Sequence, residues 1–256
     1  MQGQIVGYID KYLSRYLCGY RKGYSTQHSL ILLLEKWKYA LDKKGYAGAV
    51  LMDLSKAFDC LNHELLIAKL HAYGFSKHSL KLLMSYLQDR WQRTKINTSF
   101  SSWSELLTGV PQGSVLGPIL FNIYINDLFW ICDDVDICNF AGDNTFNACN
   151  RNLNKLIEQL ESVSIKAIHW FKLNYMKLNE DKCHLLVFGH KYEHICAMIG
   201  ESRIWESQNV KLLGINIDND FKFKDHINKI CNKTGYKISA LARVRHHFSL
   251  KKEDVI

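Results

Sequence analysis

The sequence predicts an α+β fold built on a split β-α-β sheet, and three observations carry that prediction. The run Ala47-Gly-Ala-Val-Leu-Met-Asp53 is apolar, too short for a helix, and stops at an acid, which reads as a buried strand. Val135–Phe140 alternates well enough for a second strand, a turn follows at Ala141–Asn144, and Thr145–Cys149 pairs back. Leu153, Leu156, Ile157, Leu160, Val163, Ala167, Ile168 and Phe171 then keep helical spacing, and another strand fits residues 184–189. Strand, helices, hairpin, helix, strand is the order of ferredoxin-like sheets.

Taken in order, residues 1–23 are short of hydrophobic periodicity and end in Cys18-Gly-Tyr-Arg-Lys-Gly23. Ser25 or Thr26 can cap a helix whose face is Leu30, Leu33, Leu34, Trp37 and Leu41, with Gly45 ending it. After the first strand, two helices are predicted at 62–72 and 77–89, split by Tyr73-Gly74-Phe75. Their apolar faces are Leu65, Leu66 and Leu70, then Leu80, Leu83, Met84 and Leu87. Residues 94–108 read as a hairpin around Asn97–Ser102. Gly109–Pro118 holds both prolines of the chain and three of its fifteen glycines, so it is a stiff, specially shaped loop. It carries Gln112 and opens a helix with Ile119, Leu120, Ile123 and Tyr124 on one face, continued by Leu128. Strands are also predicted at 194–199 and 210–217, and a basic helix at 224–247.

The 256 residues carry a net charge of +8 and a pI near 9.0. An acidic partner follows, nucleic acid being the commonest and a membrane surface the alternative. No run of about 18 apolar residues predicts a membrane span, and the first residues lack the pattern of a signal peptide. Eight cysteines without a CxxC pair read as reduced thiols, hence an intracellular protein of nucleus or cytoplasm. RNA-binding domains and polymerase palms share the split β-α-β order, so fold alone does not choose between them.

Asp53 and Asp143 narrow the choice. The first ends the central strand and the second lies in the turn of the neighbouring hairpin, so both come to one edge of the sheet. Acids brought together repel unless cations are present, and two Mg²⁺ ions held there can activate a 3′-hydroxyl and steady a leaving pyrophosphate. Read singly, the two are an ordinary strand-end acid and a turn former.

Residues 109–128, GVPQGSVLGPILFNIYINDL, closely resemble a signature of the reverse transcriptases of non-LTR (LINE-type, jockey-like) retrotransposons. VLMDLSKAFD at 50–59 is similar to that family's first catalytic motif, and Trp170–Lys182 to a later block. Val210–Gly214 resembles the primer-gripping hairpin, Phe223–His226 the entry to the thumb, and Cys18–Thr26 a block of the fingers. The resemblance implies a right-hand polymerase, with partial fingers at 1–46 and a palm with inserted fingers helices and hairpin at 47–208. The primer-grip hairpin and start of the thumb would take 209–256. It implies that Asp53 and Asp143 ligate Mg²⁺ (Mn²⁺ as the alternative) and that Phe58 screens the sugar 2′ position. Gln112, on a loop closing over the templating base pair, would contact the incoming nucleotide, with Phe140 and Ala141 beside it. Lys182 would assist the leaving group, and Arg21, Lys22, Leu213 and Gly214 would contact nucleic acid. The implied partners are an RNA template, a DNA primer and dNTPs, with no membrane. Basic residues from Lys222 to Lys237 suggest a duplex channel between palm and thumb.

The sequence also departs from that family. Its catalytic turn reads Phe or Tyr, Ala, Asp, Asp, whereas Phe140-Ala141-Gly142-Asp143 puts glycine at the first Asp. Asp136 lies about 20 Å back along its strand, Asp133 and Asp134 are farther, and Asn144 is a neutral and weaker ligand. Gly-Asp suits a tight hairpin turn, so the fold is expected to survive while the chemistry suffers. More fingers sequence, and often an endonuclease, precede this region in the family, so the chain is expected to be a fragment. Two alternatives stand beside a working polymerase: a dead remnant that only binds nucleic acid, and a non-enzymatic RNA-binding module. The module is disfavoured because no run of sheet-face aromatics is present. Cys183, His184, His190, His194 and Cys196 crowd together, but their spacing fits no common zinc finger.

Overall fold

Two short helical segments precede everything the sequence made legible. Helix α1 (Gln2–Ile9) buries Ile5 and Ile9, and a single 3₁₀ turn follows at Asp10–Tyr12. Only one i,i+4 pair faces the core, with Gly3 and Gly7 around it, which is too little periodicity to read. The computed structural model describes residues 2–191 and 194–245, in two compact units, 1–207 and 208–256.

In the first unit, α2 (Thr26–Asp42) starts at Ser25, whose side chain accepts from the His28 N–H. It ends one turn before the predicted glycine. Lys44, at φ 57°, takes the left-handed position, and the Gly45 N–H caps Ala40 O. Strand β1 (Tyr46–Ser55) is buried on both faces over most of its length, hence its unbroken apolar run. Helices α3 (His63–Ala72) and α4 (Lys77–Leu87) are capped by Asn62 and Ser76. The next segment is two stacked ladders: β2 (Trp91–Gln92) pairs with β5 (Ser104–Glu105), and between them β3 (Lys95–Ile96) pairs with β4 (Ser99–Phe100). Helix α5 (Gly117–Ile125) has Pro118 in its first turn and is buried on every side rather than on the single face predicted, with α6 (Leu128–Ile131) continuing it. Phe121, Asn122 and Ile125 join the expected apolar face in the core.

Strands β6 (Asp136–Phe140) and β7 (Asp143–Asn150) form the hairpin, and α7 (Leu153–Leu173) lays Leu156, Leu160, Val163 and Ala167 on the sheet. A Cβ on Gly48 would come 3.0 Å from Leu160 and 3.3 Å from Leu156, so glycine sets how closely α7 approaches β1. Two strand segments were not predicted, β8 (Lys177–Leu178) and, after β9 (His184–Phe188) and β10 (Cys196–Ile199), β11 (Ser202–Trp205). Among the described residues, every ladder between these strands is antiparallel. The sheet runs β6-β7-β1, and the other edge of β1 pairs with β9 and then β8. That is the order predicted for the split β-α-β sheet, and the fold is α+β.

The second unit contains a hairpin of β12 (Asn209–Leu212) and β13 (Ile215–Asp218), then helix α8 (Lys224–Val244). The last residues of the predicted helix, 246–247, lie outside the described residues.

Candidate active site

Register brings the two acids together. Asp53 and Asp143 are direct cross-strand partners of β1 and β7, so their side chains leave the same face of the sheet. Both leave it at one end, where β7 begins and β1 is about to finish. Asp143 is a strand residue here, since the connection from β6 is only Ala141 and Gly142. The left-handed position of that turn is Ala141, at φ 59°, and not Gly142. A Cβ built on Gly142 meets only Ala57, at 3.8 Å. The turn tolerates glycine at 142 but does not require it, and the position has room for a side chain.

Two buried amides hold the turn. Asn139 Nδ2 donates to Ala141 O (2.8 Å) and to Asn144 Oδ1 (2.9 Å), and Asn144 Nδ2 donates to Gly142 O (3.1 Å). Asn144, one residue past Asp143, points to the opposite face. It is thus removed from the acids rather than a weak substitute ligand. Asp136 and Asp134 are paired elsewhere, with Lys36 and Lys166. Gly19 packs against the same turn: a Cβ there would lie 2.5 Å from the Ala141 nitrogen, so only glycine lets the 16–19 segment run beside β6.

Lys182 sits on the 3₁₀ turn Glu180–Lys182, tied to the end of β1 by Asn179 N–H donating to Asp53 O (2.9 Å). Its Nζ is 3.0 Å from Asp53 Oδ2. Burial and the neighbouring Asp53 push the Asp143 carboxyl above the usual range, while Lys182 pulls it down. Asp143 is exposed by surface area, so water moderates that rise. A cation between the acids would relieve the crowding.

The Gly109–Gly117 loop is stitched to the turn after β1. Val110 N–H donates to Phe58 O (2.9 Å), Gly109 N–H to Leu61 O (2.8 Å), and His63 Nε2 contacts Gly109 O (2.7 Å). Gly109 has φ 85°, and a Cβ there would lie 2.8 Å from Asp59 Cα. Gln112 Nε2 donates to Asp59 Oδ1 at 2.9 Å. Phe58 stacks on Phe121 (4.8 Å between centroids, 19°), and Tyr20 meets it edge-on (5.7 Å, 87°). Asp59 and Tyr20 were missed as supporting residues, because no spacing rule links position 59 to 112 or 20 to 58.

Other expected site residues are not gathered here. Arg21 was placed on the nucleic-acid surface, but its guanidinium is turned inward, 9% exposed, paired with Asp10 (2.9 Å) and donating to Ser14 O and Leu17 O. It braces the N-terminal segment, whereas Lys22 is exposed. Phe140 is the last residue of β6, and Ala141 lies in the turn itself. Leu213 (φ 48°) and Gly214 (φ 93°) form the tip of the β12–β13 hairpin in the second unit. A left-handed leucine costs about 1–2 kcal/mol and needs its turn to enforce it. Of the crowded His and Cys residues, His190 pairs with Glu206 (3.0 Å) and His184 with Ser207 (3.3 Å). Among the described residues, no cluster of three or more His, Cys, Asp or Glu is arranged to hold a metal ion, the Asp53–Asp143 pair included. A divalent ion held by these two carboxylates would need phosphate or water to complete its shell. The pair does not fit a two-ion site.

Fold and paired acids together define a template-directed polymerase palm. Residues 3–217 match the family model described as reverse transcriptase (RNA-dependent DNA polymerase), and the chain belongs to that family. It is similar to the probable RNA-directed DNA polymerase from transposon BS of Drosophila melanogaster, 31% identical over 202 residues, covering 73% of this chain and 22% of the relative. The RNA-directed DNA polymerase from mobile element jockey of the same organism is 25% identical over 211 residues, covering 79% and 23%. The chain therefore spans less than a quarter of the length of these curated relatives. Among solved structures, apo telomerase from Candida tropicalis truncated from its C-terminal domain shares the fold, with a TM-score of 0.58 at 14% identity, covering 85% of this chain and 42% of that one. No helix among the described residues is long and apolar enough to cross a membrane.

Proposed function

We propose that this chain is the nucleotide-adding domain of a non-LTR retrotransposon reverse transcriptase, which binds an RNA template, a DNA primer and a dNTP but adds nucleotides poorly. The observation that carries it is the direct pairing of Asp53 with Asp143 at one end of the sheet, with Lys182 on the same carboxylate. A bound Mg²⁺, or Mn²⁺, would neutralise phosphate charge and make the primer 3′-hydroxyl easier to deprotonate. Lys182, already at the site, is the candidate for neutralising the leaving pyrophosphate. Phe58, fixed between Phe121 and Tyr20, is suited to screening the sugar 2′ position, and Gln112, oriented by Asp59, to touching the nucleotide. Phe140 and Ala141 line the turn beside it. Lys22, Leu213 and Gly214 remain the candidates for contacts to nucleic acid.

The Gly142 gap favours a second reading in which the chain binds primer–template without extending it. Nothing supports a pure RNA-binding module over either. Binding comes first in testing: fluorescence anisotropy with a primer–template duplex should show sequence-tolerant affinity that falls steeply with salt. Affinity unchanged between low and moderate salt would remove both nucleic-acid readings. Primer extension on the same duplex then separates the two.

A further inference from the structure

We propose that the β2–β5 ribbon is a stacking platform for unpaired template RNA approaching the active site. The identity of the strand rests on the reverse transcriptase reading above. The ribbon is poorly explained by the fold itself. Each of its two ladders is two residue pairs long, and every strand residue in them is exposed. Yet it carries three large aromatics: Trp91, Phe100 and Trp103 are 58%, 51% and 57% exposed.

Charge says what would cover these rings. Within the ribbon, Trp91 to Glu105, the cations Arg93 and Lys95 lie beyond its base, and the one acid, Glu105, is at the base opposite Trp91. The Arg93 guanidinium lies 4.0 Å from the centroid of Phe100 and 4.6 Å from that of Trp103. Lys95 lies 5.4 Å from Phe100. Ring faces with cations beside them are the chemistry that binds single strands, whose bases have free π-faces and whose phosphates need neutralising. A duplex offers only its backbone to such a surface, because its bases are already stacked.

Continuity says which strand. The base of the ribbon opens into a cavity of about 770 Å³ whose lining includes Arg90, Trp91 and Glu105 together with Gly109, Pro111 and Gln112. The ribbon and the loop assigned to the templating base pair therefore share one groove. A strand leaving that loop on this side passes Trp91 first and then the Arg93 cluster.

The test uses the full chain and three labelled probes: a single-stranded RNA of about 12 nucleotides, the blunt RNA–DNA duplex of the same sequence, and anionic vesicles. The double variant Trp91→Ala/Trp103→Ala should keep the parental melting temperature, since neither ring is in the core. Its affinity for the single strand should fall about 10–100-fold, with duplex affinity unchanged and Trp91→Phe/Trp103→Phe restoring most of the loss. Unchanged single-strand affinity, or an equal loss on duplex, overturns the platform. Vesicle binding that depends on the two tryptophans when RNA binding does not overturns it in favour of a membrane surface. Tryptophan-dependent binding of the single strand by a parent that ignores primer–template supports the platform and overturns the template assignment. A parent that binds duplex but shows no tryptophan dependence on the single strand removes the platform and leaves the reverse transcriptase reading intact.

Discussion

Restoring a carboxylate at position 142 is the perturbation that separates fold from chemistry. Gly142→Asp puts a side chain where only Ala57, at 3.8 Å, is near, on a backbone that is not left-handed. Removing a glycine stabilises by about 0.4–1 kcal/mol through the unfolded chain. A third acid near Asp53 and Asp143 costs about 1 kcal/mol at roughly 4 Å in a water-like dielectric. The two nearly cancel, so the metal-free melting temperature should move by no more than about 2–4 °C. Activity should move far more. A gain of about 4 kcal/mol in transition-state stabilisation is roughly a thousandfold in rate, well within what metal ions contribute. The assay is primer extension on an RNA template, comparing parent and variant with the preceding fingers segment of a jockey relative joined to each. Equal rates in the two would refute the reasoning, and so would a variant that fails to fold, since the turn has room for it.

Three further outcomes follow from the same geometry. Asp143→Asn should raise the metal-free melting temperature at pH 7, because the raised carboxyl of Asp143 binds its proton more tightly in the folded chain. Folded stability falls as pH rises from the unfolded value of 3.8 through that raised value, so the advantage of the Asn variant should vanish below pH 3.8; a pH series of thermal melts checks this. Lys182→Ala should push the Asp143 carboxyl higher still, read by carboxyl NMR titration, since the lysine is the group that lowers it. Gly109→Ala forces a Cβ to within 2.8 Å of Asp59 Cα at φ 85° and should cost more than about 2 kcal/mol in denaturant melts.

What could be read from the sequence was what periodicity and motif order encode. The run into Asp53, the alternation before Phe140 and the spacing of α7 fixed the sheet order. The two-residue turn sets the register of β6 on β7, whereas the register that opposes Asp53 to Asp143 joins β1 to β7 and no local signal encodes it. The illegible parts rest on single long-range contacts. Arg21 looked like a surface cation, and only the fold shows Asp10 and two carbonyls around it. Gly142 fits a hairpin turn in sequence, but which of the two turn residues is left-handed depends on the turn type, and here Ala141 holds that position. The Asn139–Asn144 pair is invisible in sequence because neither residue carries a pattern; their contact exists only once β6 and β7 are in register.

Soaking crystals of the parent and of Gly142→Asp in Mn²⁺, and locating the metal by anomalous scattering, tests the central claim most directly. The account predicts one ion between Asp53 and Asp143 in the parent, with Lys182 displaced from Asp53, and a second ion only in the variant. No ion between the two carboxylates in either crystal would contradict it.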